Sequence, residues 1–371
     1  MKISVVLGTL FGDEGKGKTV SWLCSRNDHH EKVVVRFNGG HQAGHTVLFN
    51  GIKHTFSSFG SGTLQGVPTI WLDECTVEPV GLVNEYNALK GYGLSPQIYI
   101  EDLCPVTTPY DIVMNILYNP ENLQHGTCGV GFGETLKRHE SRHKLYFMDL
   151  FNDFVLRAKL SQMSNYCDQI CKDFNHLDLV PAFDKFYKSV DVIRKENIGK
   201  SQIVSNYTNT HLIFEGAQGI MLDQDFGFFP NVTRSNTTCK NINKLVQNLS
   251  DEFSPCVPEI YYVARTYQTR HGAGPMSSEK SLNFLEEKRD EHNKSNEFQK
   301  EFRVGEYDQN LIDYAIKCNE QEVDFIHHKN LVFTCADHYP LPDLTKVEKD
   351  FHTIFISEGA ESEIMRIHEN G

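Results

Sequence analysis

The sequence predicts an α/β fold in one domain, residues 1–371, with a mostly parallel central sheet, helices on both faces and a helical excursion at about 150–200. Three observations carry this prediction. Short apolar runs rich in Val, Ile and Phe alternate with stretches of helical spacing, the pattern left by strands joined through crossover helices. Glycine-rich polar loops follow several of those runs, and open α/β sheets bind ligands beyond the carboxyl ends of their strands. From Ser4 to Val20 the chain reads as an apolar run, a cluster of glycines and charges, and a helix-spaced segment.

In order, Val5-Val6-Leu7 is the first strand and Thr19 to Leu23 lies in the first helix. Lys32 to Phe37 is the second strand, ending in a glycine-rich loop from Asn38 to Thr46. Val47 to Phe49 and Lys53 to Phe56 flank Asn50-Gly51, a type I′ hairpin signal. Strands follow at Thr69–Leu72 and Ile98–Ile100, with helices at Gly81–Leu89 and Pro109–Tyr118. The helical excursion carries its apolar positions at Phe151, Phe154, Val155 and Leu160, then Phe183, Phe186, Tyr187, Val190 and Ile193. Leu212 to Phe214 returns to the sheet and runs into Glu215–Gly219, read as a second glycine-rich strand exit. Ile260–Val263, Leu331–Phe333 and Thr353–Ile356 are further strands, and Asp308–Cys318 a helix. Ser277 to Arg303 is charge-rich and reads as a surface helix with a loop.

The formal net charge of -13 argues against a nucleic-acid partner, because phosphate backbones demand clustered cations. No apolar run approaches the ~20 residues that span a bilayer, so no membrane partner is expected. The first strand begins without a basic region and apolar signal segment, and the expected location is cytoplasmic. Ten cysteines are scattered with no C-x-x-C pair, which reads as reduced, mostly buried thiols.

The first loop matches the nucleotide phosphate-binding pattern: Gly12, four residues, then Gly17-Lys18-Thr19. Its first strand, loop and helix are therefore P-loop-NTPase-like. Glycines let the backbone approach a ligand, and the helix start offers unpaired N–H groups to an anion. Asp13 and Glu14 depart from an ordinary phosphate loop, since two carboxylates there repel phosphate unless a cation or a proton-bearing group intervenes. Three further strand exits carry small and polar residues: Gly39–Thr46, Glu215–Gly219 and Thr334–Asp337. His41 and His45 have the spacing of a helical metal pair, but Gly39, Gly40 and Gly44 disfavour a helix. A histidine in such a loop reads better as a proton donor or oxyanion stabiliser, with a purely structural bond to the backbone as the alternative.

In this order, LGTLFGDEGKGK, GGHQAGHT, FEGAQG, FPNVTRSNTT and RTYQTRHGAGP resemble adenylosuccinate synthetase, from Val5 to about Glu363. That family joins IMP to L-aspartate using GTP and Mg²⁺, and its members are usually homodimers. The resemblance implies that Asp13 takes the purine N1 proton, that His45 stabilises or protonates the departing phosphate oxygen, and that Lys16 neutralises charge in the transfer. It implies Mg²⁺ at Asp13 and the Gly44 carbonyl. For the donor nucleotide it implies Gly12, Asp13, Glu14, Gly15, Lys16, Gly17 and Lys18, then Gly44, His45 and Thr46, and finally Arg303, Thr334, Asp337, Ser357 and Gly359. For the purine monophosphate it implies Asp13 to Lys16, Gln42, Ala43, Gly44 and His45, Thr127 with Cys128, Gln218 and Thr233. Arg142 matches an arginine that reaches the neighbouring subunit's substrate; its alternative is a solvated member of the basic run Lys137 to Lys144.

The chain also departs from that family. Thr334-Cys335-Ala336-Asp337 lacks the lysine that stacks on guanine, which leaves ATP as an alternative donor. Phe298-Gln299-Lys300-Glu301-Phe302-Arg303 stands where an arginine run grips aspartate, with a single arginine in register. Gln42 and Cys128 replace an asparagine and a threonine. Compact relatives in archaea and viruses include enzymes that act on dGMP, so a deoxypurine acceptor is an alternative; the retained Asp13 favours a 6-oxopurine without the 2-amino group. Outside the family, a P-loop kinase or NTPase would need a strand-borne aspartate facing Lys18, for which Asp73 is the best candidate.

Overall fold

The computed structural model describes residues 1–117, 128–170, 179–202, 207–253, 256–280, 302–361 and 365–368. The first half runs β1 (Lys2–Gly8), α1 (Lys16–Ser25), β2 (Glu31–Arg36), β3 (His45–Phe49), β4 (Ile52–Phe56), β5 (Thr69–Trp71), α2 (Pro79–Gly91), β6 (Ile98–Ile100), α3 (Pro109–Leu117), α4 (Phe132–Glu140), α5 (Asp153–Ile170) and α6 (Val180–Glu196). The second runs β7 (Thr210–Gly219), α7 (Asn243–Phe253), β8 (Glu259–Arg265), β9 (Tyr267–His271), β10 (Glu279–Lys280), β11 (Phe302–Glu306), α8 (Gln309–Glu320), β12 (His328–Thr334), β13 (Thr353–Ser357) and β14 (Met365–Ile367).

Among the described residues, nine strands form one sheet in the order β14-β13-β12-β8-β1-β7-β2-β5-β6. Every neighbouring pair is parallel except β13 with β14. Because side chains alternate along a strand, β1 feeds both cores. Val5 and Leu7 pack with Phe214, Tyr262 and Phe333 under α7 and α8, through Val246, Leu249, Ile312 and Ala315. Val6 faces the other way, with Val34, Ile213 and Tyr261, against Val20 and Leu23 of α1. The expected helix-covered parallel sheet is therefore present.

The helical excursion is the pair α5 and α6. Leu156, Leu160 and Met163 of the first, and Phe186, Val190 and Ile193 of the second, join Leu82 and Leu89 of α2 in one buried cluster. The hairpin β3–β4 turns at Asn50 and Gly51, with φ of 49° and 75°, as a type I′ turn requires.

The structure differs from expectation at β7. Instead of ending near Phe214, that strand continues through Glu215-Gly216-Ala217-Gln218-Gly219. The reason is a side chain supplying strand-like pairing: Asn38 accepts from Ala217 N at 2.8 Å and donates to its carbonyl at 3.1 Å. Helices α4 and α7 and a three-stranded sheet, β10-β11-β9, were not anticipated. The expected surface helix within Ser277–Arg303 lies outside the described residues from 281 to 301, as does Tyr118.

Candidate active site

Five consecutive strands of the sheet, β12-β8-β1-β7-β2, bring their carboxyl ends to one edge. This places Thr334–Asp337, Arg265, the Gly12–Lys18 loop, Glu215–Gly219 and Gly39–Thr46 side by side, where open parallel sheets bind ligands.

The loop after β1 is braced from within. Glu14 folds back, its Oε1 accepting from Leu10 N at 3.0 Å and Gly12 N at 2.8 Å. Its Oε2 lies 2.8 Å from Lys16 Nζ, which also donates to the Gly12 carbonyl at 2.9 Å. Both side chains are buried, so two of the loop's charges cancel inside it. This corrects the expectation that two carboxylates face incoming phosphate: Asp13 alone does so, its side chain 34% exposed. Gly8 and Gly219 make room for this brace, since a Cβ at either would lie within 2.6 Å of a Glu14 carboxylate oxygen.

Asp13 is held by Arg265, the last residue of β8. Arg265 donates from Nη2 to Asp13 Oδ2 at 2.7 Å and from Nε to the Asp13 carbonyl. Its Nη1 donates to Tyr267 Oη at 2.9 Å. Burial opposes the guanidinium's charge most, but Asp13, Cys335 and Tyr267 together outweigh it and raise the pKa well above the ordinary value.

His45 begins β3, and its Nδ1 stands 2.6 Å from Glu215 Oε1. Glu215 Oε2 accepts from Ser61 N at 3.0 Å, and Oε1 accepts from the Ser61 hydroxyl. Burial opposes ionisation of Glu215, yet His45, Arg36 and the Ser61 hydroxyl together hold its pKa down to about 2. Burial lowers the pKa of His45. A carboxylate and a neutral ring donating its Nδ1–H therefore form the resting pair. The buried Nε2 has no hydrogen-bond partner among the described residues. Gly17, in the first turn of α1, permits this placement: a Cβ there would meet His45 Cβ and Ser61 Oγ at 2.9 Å. Arg36 is the in-register neighbour of Glu215, fully buried, with its guanidinium 5.3 Å from the Trp71 ring centre.

Other buried polar atoms without a partner among the described residues include both amide atoms of Gln42, Nδ1 of His41 and Oε1 of Gln218. Buried polar groups are ordinarily satisfied, which makes these atoms candidates for ligand contacts. Ala43 closes the turn, donating to the Gly40 carbonyl at 3.1 Å, and the Thr46 hydroxyl lies 2.9 Å from that of Thr55 across the hairpin.

On the opposite side of Asp13, Thr334 Oγ1 donates to the Glu14 carbonyl at 2.6 Å and supports Gly15, the left-handed N-cap of α1 at φ 95°. Lys18 donates to the carbonyls of Glu358 at 3.2 Å and Gly359 at 2.5 Å. Ala336 N donates to the Ser357 carbonyl at 3.3 Å, joining the loops that carry Asp337, Ser357 and Gly359. The Ser357 hydroxyl is buried without a partner among the described residues.

The remaining expected residues scatter more widely. Arg303 lies on β11, paired with Glu279 at 2.6 Å and donating to the carbonyls of Gly272 at 3.1 Å and Gly274 at 2.7 Å. Thr233 is buried, its backbone N–H donating to the Leu222 carbonyl at 2.7 Å. Cys128 is half-buried, and Arg142 is exposed in the turn after α4, with no ion pair among the described residues. Thr127, and Phe298 to Glu301 of the altered loop, lie outside the described residues. Sequence reasoning missed Arg265, Glu215, Ser61 and Asn38 as parts of the site. Arg265 and Glu215 sat inside quoted motifs; Ser61 and Asn38 carried no signal beyond neighbouring glycines.

The donor set expected for Mg²⁺, the Asp13 carboxylate and the Gly44 carbonyl, is all oxygen and suits that cation. Asp13 has one oxygen outside the Arg265 grip. Among the described residues no group of three His, Cys, Asp or Glu could hold a metal, so the other ligands would be nucleotide phosphates and water, the usual arrangement for Mg²⁺.

The sequence model of the adenylosuccinate synthetase family matches residues 5–335. The adenylosuccinate synthetase of Borrelia duttonii is 30% identical over 338 residues, covering 86% of this chain and 75% of that protein. The solved structure of fully ligated adenylosuccinate synthetase from Plasmodium falciparum superposes with a TM-score of 0.77 at 21% identity, covering 100% of both chains. The succinoaminodeoxyadenylate synthetase of cyanophage S-2L, solved with dGMP and with dATP as an energy donor, superposes with a TM-score of 0.64 at 14% identity, covering 100% of this chain and 96% of that one.

Proposed function

The chain belongs to the adenylosuccinate synthetase family, a ligase that forms a carbon–nitrogen bond in purine biosynthesis, and from that premise we propose which residues do the chemistry and on which substrates. We infer IMP as acceptor, GTP as donor and L-aspartate as amine, in a cytoplasmic homodimer. The observation that carries the reading is the unsatisfied Nε2 of His45, backed by Glu215 and standing against the loop that presents Asp13.

Asp13 accepts the N1 proton of the 6-oxopurine, which makes O6 a nucleophile toward the donor's terminal phosphate. His45 serves the departing phosphate oxygen from Nε2. Its ring is neutral at rest, and the combined charge of phosphate at Nε2 and Glu215 at Nδ1 draws a proton onto it. Glu215 then stabilises the imidazolium, and Nε2–H donates to the leaving oxygen. The 6-phosphoryl group is displaced by the aspartate amine, forming the C6–N bond and releasing phosphate. Asp13 and the Gly44 carbonyl are the residues that would hold Mg²⁺, which supplies charge neutralisation between the phosphates. Lys16 contributes by fixing Glu14 within the loop.

On the monophosphate side the reading assigns Gln42, Ala43, Gln218, Cys128 and Thr233; Thr127, assigned with them, lies outside the described residues. Thr334, Asp337, Ser357, Gly359 and Arg303 belong to the donor side. Asp337 can accept the N1 and N2 hydrogens of guanine, which supports GTP over ATP. Arg142, exposed and without an ion pair among the described residues, supports a role in the partner's site. Nine described cysteines are free thiols, in keeping with a reducing compartment, and no described helix is long and apolar enough to cross a membrane. The deoxyguanylate alternative is not favoured, because the cyanophage enzyme is the more distant of the two structures, at 14% identity.

The test measures phosphate release and product mass with Mg²⁺ and L-aspartate, crossing IMP, dIMP, GMP and dGMP with GTP and ATP. A succinylated product from IMP with GTP is expected. Product from a guanine acceptor alone, or no product with any pair, overturns the substrate assignment.

A further inference from the structure

We propose that Arg265 gates Asp13, holding one of its two carboxylate oxygens until a divalent cation and the donor's phosphates arrive, and then turning to the phosphates itself. The inference rests on the role proposed above for Asp13.

Arg265 ends β8, the immediate neighbour of β1, so it reaches the Gly12–Lys18 loop directly from the sheet. Each guanidinium nitrogen is engaged: Nε with the Asp13 carbonyl, Nη2 with Asp13 Oδ2 at 2.7 Å, and Nη1 with Tyr267 Oη at 2.9 Å. The guanidinium carbon lies 5.5 Å from the centre of the Tyr267 ring. A grip on both the main chain and the side chain of one residue fixes its position rather than merely balancing its charge. The pair is also largely removed from solvent, with Arg265's side chain 12% exposed, so it is screened less than a surface ion pair.

Asp13 has two tasks in the ligase reaction, accepting a proton from the purine and binding the cation, and each takes a carboxylate oxygen. With Oδ2 committed to Arg265, only one task can proceed. The cation and the guanidinium carry like charge at one carboxylate, so in the nucleotide-free protein Arg265 repels a cation from the remaining oxygen and denies it Oδ2, which a charge-assisted hydrogen bond holds. Donor phosphates change the balance, because they give the displaced guanidinium an alternative anion. A planar, always-charged fork suits phosphate oxygens, and Tyr267 keeps it beside the loop.

The probe is Mn²⁺ in place of Mg²⁺, titrated by electron paramagnetic resonance into the nucleotide-free full chain, so turnover plays no part. Arg265→Met should bind Mn²⁺ about tenfold tighter than the wild type, the size of one charge-assisted hydrogen bond. Adding Asp13→Asn should erase that gain, and Arg265→Lys, which keeps the charge but loses the fork, should fall between. Thermal unfolding confirms that each variant is folded. No gain in Arg265→Met, or a gain that survives Asp13→Asn, overturns the gate. A crystal structure with GTP and Mg²⁺ gives a second reading: the gate requires Arg265 Nη2 to leave Asp13 Oδ2 and approach a phosphate, and a retained 2.7 Å contact overturns it. Failure of the wild type to make adenylosuccinate would overturn the proposed substrates instead, leaving the metal titration readable by itself.

Discussion

His45 Nδ1 and Glu215 Oε1 stand 2.6 Å apart, although 170 residues separate them in the chain. Glu215 lies on β7, while His45 begins the β3–β4 hairpin, reached by the loop that leaves β2, the strand whose Arg36 is in register with Glu215. Glu215→Gln keeps the shape but removes the charge that stabilises an imidazolium. Turnover should fall by about 10²–10³-fold, within the range for a positioned general acid. Steady-state kinetics and thermal melting check this; a loss of stability with kcat unchanged would return the pair to a structural role.

Asp13→Asn should abolish product formation while donor nucleotide binding persists, because the loop's shape rests on Glu14 and Lys16 rather than on Asp13. Calorimetric nucleotide titration beside a turnover assay separates the two. Unchanged turnover would remove Asp13 from proton transfer.

Gly17→Ala addresses His45 without touching a reacting group. A methyl group at Gly17 would meet His45 Cβ and Ser61 Oγ at 2.9 Å, so the histidine must move. A small displacement at a catalytic group is expected to lower kcat by about 10²-fold. Ala favours helix over Gly by about 1 kcal/mol, which offsets part of the clash in the melting temperature. A variant with wild-type turnover would show that His45 placement is not critical.

Arg142→Leu should lower activity, and mixing it with Asp13→Asn should restore part of the loss if each dimer supplies one intact site. The turn that carries Arg142 is well anchored: Arg138, buried against Asp111, donates to the His143 carbonyl at 2.7 Å. No rescue in the mixed dimer would mean that Arg142 serves its own subunit or none.

His139 provides a pH test of stability. It is buried and accepts the Leu145 N–H at Nε2 with 3.2 Å separation, a geometry that requires the neutral ring. Burial, with Arg138 adding to it, pushes its pKa down to about 3. The unfolded chain therefore binds the proton first as pH falls below its ordinary value of about 6.5. Stability contributed here is complete above that value and declines toward pH 3, by about 1.4 kcal/mol per pH unit. His139→Gln should flatten this slope in urea unfolding between pH 6 and pH 4; an unchanged slope would show that the ring is not held neutral.

The sequence made the strand exits, the Asn50-Gly51 hairpin and the helical excursion legible, since each has a local signature in period or turn chemistry. The partners of the site residues were not legible. Glu215 stood in a quoted motif, but its meeting with His45 depends on which strands become neighbours, a property of topology rather than of either segment. Glu14 was misplaced for a related reason. Its charge suggested a ligand, whereas its pairing with Lys16 depends on a loop path cleared by Gly8 and by the distant Gly219. Arg265 followed a strand expected to end at Val263 and headed a quoted motif, and only the adjacency of β8 and β1 brings it onto Asp13.

The central position of β1 also bears on how the chain is made. Its two hydrogen-bonding neighbours are Thr210–Gly219 and Glu259–Arg265, both far downstream. At about 5–20 residues per second, a ribosome needs roughly 10–50 s after making β1 to finish the second neighbour. Until β7 is made the apolar run Val5-Val6-Leu7 has both edges unpaired, and until β8 is made it still lacks one neighbour. The nascent protein therefore passes through a long stage in which β1 and the loop that follows it wait, open to edge-to-edge pairing, until the second half of the sheet closes around them.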